Sequence, residues 1–355
     1  MIDKSFWKDK KILVTGHTGF KGSWLCLILK ILGARVTGFS LDEPVSTPSM
    51  FNLLKIGSFI NDYRGDIRSM DDCKEILLKK QPDIIIHMAA QSLVRKSYRQ
   101  PVTTFETNVI GTVNILETVR DLDSVSEIII VTSDKCYKNI EKDYSYTEKD
   151  SLGGFDPYSS SKACAEHVSS AYYNSFLMNE RKGLATVRAG NVIGGGDWSE
   201  DRLLSDAVKS FSKGNKLLIR NPSAVRPWQH VLDPLFGYLL LAEKLHSDNL
   251  VYSGPWNFGP DKKNCKSVEH IINSFSKMWD GETTWEIFKK DELHEATLLQ
   301  LSSNKSRKKL GWRPKLGFKQ TLKYTSDWYK NHYSHKINMY DFTIGQIYDY
   351  MRNHE

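Results

Sequence analysis

The sequence predicts an α/β protein, a doubly wound parallel sheet followed by a smaller mixed α/β C-terminal part. Two observations carry that prediction. Short, almost wholly apolar runs such as KILVT (Lys11–Thr15), DIIIHM (Asp83–Met88) and EIIIVTS (Glu127–Ser133) recur through the first half, and amphipathic segments separate them. A strand that is apolar on both faces has to be buried on both, and helices packed above and below a parallel sheet do that.

Taken in order, strands are expected at Lys11–Thr15, Arg35–Ser40, Phe59–Tyr63, Asp83–Met88, Glu127–Ser133 and Leu184–Ala189. Helical periodicity falls at Lys21–Leu32, Met70–Lys80 and Val102–Leu122. After residue 189 the rhythm changes. Gly194-Gly195-Gly196, Asn221-Pro222 and Arg226-Pro227 punctuate irregular segments, with helices expected near Arg202–Lys213 and Ser267–Met278. The stretch Val231–Leu245 and a strand near Trp256–Phe258 read as a return to the first unit. The expected division is therefore 1–188, rejoined by about 231–258, against a substrate-binding unit made of 189–230 and 259–355.

Composition narrows the function classes. With 355 residues, 40% hydrophobic and 26% charged, the chain is globular and larger than one small core. The net charge of +7 is spread along the chain, which argues against a nucleic-acid surface and suits a small anionic ligand. The densest basic run, Lys305–Lys309, reads as a solvated helix face. Five scattered cysteines suggest neither a disulfide framework nor structural zinc, and no His/Asp/Glu cluster has metal-binding spacing, so no metal is expected. The charged start of the chain does not look like a signal peptide. The longest apolar stretch, Trp24–Ala34, is broken by Lys30 and too short for a bilayer, so no membrane partner and a cytoplasmic location are expected.

The first strand runs into Gly16-His17-Thr18-Gly19-Phe20-Lys21-Gly22 and then a helix. Glycines at this spacing let the backbone approach a dinucleotide pyrophosphate, which the N–H groups of Thr18, Phe20 and Lys21 can face from the helix start. This is a Rossmann-type turn. Ser40, at the end of the second strand, can bond an adenosine ribose without repelling a 2′-phosphate, so this position leaves NAD against NADP open. Asp66 and Ile67 are placed to frame the adenine, and Ala89, Ala90 and Gln91 to let the cofactor lie close. Tyr158 and Lys162, at i and i+4 of one helix, form the second constellation, in which a nearby ammonium favours the phenolate and brings tyrosine into base range.

With these motifs the chain resembles the extended short-chain dehydrogenase/reductase family. The match runs through the glycine turn, Asp66-Ile67, Ala89-Ala90-Gln91, Asn108–Thr112, Tyr158/Lys162, Arg188–Val192 and Arg226–Val231. Within that family TGHTGFKGSWL (Thr15–Leu25), TSDKCYKN (Thr132–Asn139), RAGNVIGGGDW (Arg188–Trp198) and RPWQHVLDP (Arg226–Pro234) are most similar to dehydratases that act on CDP-glucose. The resemblance implies bound NAD, with Asn108 on the cofactor side, and a sequence of C4 oxidation, loss of water across C5 and C6, and reduction at C6.

Family dehydratases follow a serine or threonine here with aspartate and usually glutamate; this chain has Ser133-Asp134-Lys135. The resemblance makes Tyr158 the base at the 4-hydroxyl, helped by Ser133 and Lys162, and Asp134 the acid for the 6-hydroxyl. Lys135 is the candidate for the C5 proton, or else a residue that orients Asp134. Asn191, Arg202 and Arg226 are the substrate-side candidates, while His17, His87 and His230 read as structural. A homodimer through the helices bearing Tyr158 and Val102–Leu122 is implied. A nucleotide-sugar epimerase, or a dehydratase of another nucleotide sugar, is the alternative, and a non-catalytic NAD-binding scaffold is the more distant one.

Overall fold

A computed structural model describes residues 2–42, 46–288, 298–334 and 336–352. Seven strands form the large sheet: β1 Lys11–Thr15, β2 Arg35–Ser40, β3 Asn61–Arg64, β4 Ile84–His87, β5 Glu127–Val131, β6 Gly183–Ala189 and β7 Gly254–Phe258. All neighbours run parallel, in the order β7-β6-β5-β4-β1-β2-β3. The chain starts in the middle, winds outward to β3, then returns to β4 and winds the other way. Crossovers on either side of β1 and β4 therefore leave a crevice beyond their C-terminal ends, where ligands of such sheets bind.

Side-chain alternation explains the apolar runs. Ile12 and Val14 of β1, with Ile84 and Ile86 of β4, enter the core under α1 (Phe20–Ile31) with Trp24, Leu25 and Ile28. Leu13 and Ile85 point the other way, into a second core with Ile128, Ile130 and Leu116. Apart from Lys11 at the start of β1, each residue of these strands is buried whichever way it points. The third strand begins two residues later than expected. Asn61-Asp62-Tyr63-Arg64 is a partly exposed edge strand, while the apolar Phe59 and Ile60 just before it pack against the first core.

Further helices are α2 Met70–Lys80, α3 Gly111–Arg120, α4 Pro157–Tyr172, α5 Leu203–Phe211, α6 Leu232–Ser247, α7 Phe318–Ser334 and α8 Met339–Arg352. α4 starts where Asp156 accepts the Ser159 N–H at 3.0 Å and Pro157 takes the first helical position, where no N–H is needed. The single helix expected over Val102–Leu122 is instead Pro101–Phe105, a wide turn at Glu106–Ile110, and α3. That widened turn brings Asn108 inward, where its amide is bonded on both sides.

β7 adds to β6 in the large sheet, and α6 packs against β5 and β6. Asn191–Ile193, Val225–His230 and Cys265–Ser267 form a three-stranded sheet with the middle segment at its centre. Part of the expected second unit, 289–297, lies outside the described residues. The run Lys305–Lys309 is not a uniform solvated face. Lys308 and Lys309 are exposed, but Arg307 pairs with Asp261, and the Lys305 ammonium sits 3.9 Å over the Trp256 ring and donates to the Pro255 carbonyl at 2.7 Å. Along the outer side of β7 and just beyond it, Ser306 donates to the Asn257 carbonyl, Glu148 accepts the Asn257 N–H, and Ser303 accepts the Gly259 N–H. Among the described residues, no helix is long and apolar enough to cross a membrane.

Candidate active site

One cavity of about 430 Å³ runs from the glycine turn, past the end of β5, to α5 and the Leu217–Ile219 strand. Its first wall is the turn after β1. Gly16 has φ of +71°, and a Cβ there would lie 2.7 Å from the Ala89 nitrogen. At Gly22 a Cβ would lie 2.3 Å from the Gly16 carbonyl oxygen. Gly19 is the N-cap of α1, and no side chain caps the first-turn N–H groups. The backbone thus offers a close-fitting cradle with free donors at the positive end of a helix, which fits a dinucleotide pyrophosphate.

Thr18 and Ser40 share a hydrogen bond of 2.8 Å at the cavity edge. Asp66 lines the cavity, but Arg68 holds its carboxylate at 2.5 and 2.8 Å, keeping it below the usual carboxylate range. Ile67, Ala89 and Ala90 line the same wall. Gln91 and Asn108 do not. The Asn108 side-chain Oδ1 accepts the Gln91 N–H at 2.8 Å, its Nδ2 donates to Ser161 of α4, and the Gln91 side-chain amide bonds Leu93 and Thr104. Both amides satisfy a buried loop and tie it to the helix of Tyr158 and Lys162.

The end of β5 and the face of α4 bring the second constellation together. Ser133 pulls the Tyr158 phenol down and donates to Asp134 Oδ1 at 3.1 Å. Asp134 is 2% exposed, and its Oδ2 has no hydrogen-bond partner. Burial pushes its carboxyl up, against the pull of Lys135, Ser133, Arg226 and Lys21. Burial also pushes the Tyr158 phenol up to about 12, while Ser133 and the Arg202 charge pull it down.

Lys162 Nζ donates to the Val131 carbonyl at 3.1 Å, at the end of β5. Burial and the Lys21 charge pull Lys162 down to about 8, while Glu166 pulls it back up. Lys21, expected only as a backbone donor, also reaches this chamber. Burial and Arg202 lower it to about 8, with Asp134 and Asp197 opposing.

Arg226, in the centre of the three-stranded sheet, is 7% exposed and acts on Asp134 from across the cavity. Arg202 donates to the Ser92 carbonyl at 3.1 Å, and Asn191 lines the wall between them. Asp206, Arg220 and Asn221 line the far end and were not foreseen. They belong to no motif, so only the fold reveals them. Burial raises Asp206 to about 6. His87 is bonded to Thr15 and Thr112, and burial lowers it to about 3, so it stays neutral; His230 does the same. His17 is buried and bonded to Asp62 at 2.8 Å.

The wound parallel sheet, the glycine turn and the Ser133–Tyr158–Lys162 set define an extended short-chain dehydrogenase/reductase. The family model for GDP-mannose 4,6 dehydratase matches residues 13–325, and the chain belongs to that family. It is 45% identical to a CDP-glucose 4,6-dehydratase of Salmonella typhimurium over 335 residues, 93% of each chain. The fold is also that of a dTDP-glucose 4,6-dehydratase of Bacillus anthracis solved with NAD, at TM-score 0.74 and 22% identity, covering 94% of this chain and 99% of the other. A UDP-glucose 4-epimerase of Thermus thermophilus, solved with NAD, gives TM-score 0.76 at 23% identity and covers 92% and 100%.

Proposed function

We propose that the chain is an NAD-dependent hydro-lyase that converts CDP-glucose to CDP-4-dehydro-6-deoxy-glucose and water. The observation that carries this reading is Asp134, a buried carboxyl with an unpartnered oxygen beside Ser133 and Tyr158. Burial raises the Asp134 pKa, and a carboxyl that holds its proton more firmly is suited to hand it to a departing hydroxyl. An epimerase has no such step, and the 45% identity over nearly the whole chain favours the cytidine substrate.

Gly16, Gly19 and Gly22, with the N–H groups of Thr18, Phe20 and Lys21, would hold the NAD pyrophosphate; Ser40, Asp66, Ile67, Ala89 and Ala90 would line its adenosine half. NAD, when bound, supplies a reversible acceptor for hydride from the sugar. The protein's own groups move the protons. Tyr158 takes the proton of the 4-hydroxyl, through or beside Ser133, once a positive ring nearby brings the phenol down from about 12. Lys162, held at the Val131 carbonyl, carries the positive charge that steadies the phenolate. A ketone at C4 acidifies C5–H, Lys135 takes that proton, and Asp134 gives its own to the leaving 6-hydroxyl. Arg226 and Arg202 meet the diphosphate, and Asn191 the sugar.

The units 189–230 and 259–355 hold the sugar nucleotide, and 1–188 with 231–258 holds NAD. Two copies pair through α4 and the Pro101–Arg120 helical stretch, where Val102, Phe105 and Ile110 are exposed apolar groups; a monomeric mass in light scattering would exclude this. Incubation with CDP-glucose tests the main reading. A dehydratase product loses the mass of water and absorbs in alkaline ultraviolet light, an epimerase keeps the mass, and a scaffold leaves the sugar unchanged.

A further inference from the structure

Beneath the catalytic turn lies an ion pair that none of the chemistry above uses. Glu166 stands one turn after Lys162 on α4, and Arg188 lies on β6; each side chain is 3% exposed. The guanidinium grips the carboxylate at 2.7 and 2.9 Å. What surrounds the pair sets it apart from an ordinary core brace. Thr132, the residue before Ser133, donates to Glu166 Oε1 at 2.5 Å. Tyr137, the residue after the Asp134–Cys136 turn, accepts from Arg188 Nη1 at 2.7 Å and donates to Asn257 Oδ1 at 2.7 Å. Thr186 of β6 donates to the other carboxylate oxygen at 2.6 Å.

We propose that Glu166 and Arg188 are positioning residues which clamp both ends of the Ser133–Cys136 segment to the helix carrying Tyr158 and Lys162. Every lone pair of the carboxylate that these bonds reach is directed at the turn, at β6 or at the guanidinium. Ser133 and Asp134 therefore sit in register with Tyr158 because their neighbours at 132 and 137 are held by one rigid charge pair. Glu166 has a second effect. Lys162 faces Lys21, Glu166, Cys136 and His87, and Glu166 is the negative charge among them that favours the ammonium. The clamp thus sets both the place of the acid and the charge of the lysine. The functional part of this inference rests on the dehydratase reading.

Removing Glu166 or Arg188 outright would strand the other charge in the interior, so the informative variants cut the two tethers and leave the pair intact. Thr132→Val and Tyr137→Phe keep shape and ion pair. In each, kcat on CDP-glucose is expected to fall at least tenfold with KM within twofold, and the amides of 133–136 to exchange at least tenfold faster with deuterium. The double variant is expected to lose less than the product of the single losses, because both tethers end on one pair. Unchanged kcat and unchanged exchange in both variants, whatever the melting temperature does, would overturn the proposal and leave a mere structural brace. The exchange arm needs no substrate. A wild type that ignores CDP-glucose would sink the dehydratase reading, while faster exchange at 133–136 in the variants would still uphold the clamp.

Discussion

Two layers of buried charge lie a helical turn apart on α4, and they are built in opposite ways. In the lower layer Glu166 and Arg188 answer each other, and Thr132, Thr186 and Tyr137 take up the remaining bonds. In the upper layer Asp134 keeps an oxygen without a partner, while Lys21 and Lys162 are both pulled down to about 8 by burial and by mutual repulsion or that of Arg202. The lower one is satisfied and rigid; the upper one holds its charges under electrostatic tension that a ligand can relieve. A buried group whose partners are withheld is a group whose proton can be moved.

Four substitutions probe that contrast, and the largest effect is expected at the chemistry itself. Tyr158→Phe removes the hydroxyl and keeps the packing, so turnover of CDP-glucose should drop on the order of 10²–10⁴-fold while the unfolding midpoint stays put. Activity within tenfold of wild type would remove Tyr158 from the mechanism. In the lower layer Arg188→Met leaves Glu166 alone in the core. Stability in urea should fall by about 3–5 kcal/mol, the cost of breaking a buried pair; a loss below about 1 kcal/mol would mean that the lower layer is not what it looks like.

Lys162→Met should act in the reverse sense in the protein free of ligand. The folded-state value near 8 lies below the ordinary 10.5. Below pH 8 the wild type therefore holds a buried ammonium at the full desolvation cost, which fades as pH rises from 8 to 10.5 and the unfolded state binds the extra proton. The variant should gain on the order of 1–3 kcal/mol at pH 7, lose that gain toward pH 10.5, and be inactive. Loss of stability at pH 7 would show that Lys162 is paired after all. The smallest change is expected for Lys135→Ala with C4-deuterated sugar. Removal of the C4 deuterium should proceed normally while water loss slows by about 10–100-fold, and unchanged elimination would take Lys135 out of that step.

Much of the fold was legible because each buried strand writes itself as an apolar run. KILVT and EIIIV are strands at their expected places, and Met70–Lys80 is a helix with the expected ends. The edge strand at Asn61–Arg64 was misplaced because a strand half open to water has no such run to show. In the site, the i, i+4 spacing singles out Tyr158 and Lys162, and the family resemblance singles out Ser133 and Asp134. What local spacing hides is the far partner. Nothing near Asn108 announces that it meets Gln91 and Ser161, and nothing near Arg188 names Glu166.

The row of side chains along β7 has a meaning for life in a crowded solution. A sheet that stops leaves an open zipper of amides and carbonyls, which any extended peptide can extend. Here that border is hemmed by hydroxyls, a carboxylate and an ammonium, and proline at 255 offers no hydrogen to share. A passing strand meets a finished seam with a positive charge stitched into it, so the growing end of the sheet is closed to aggregation.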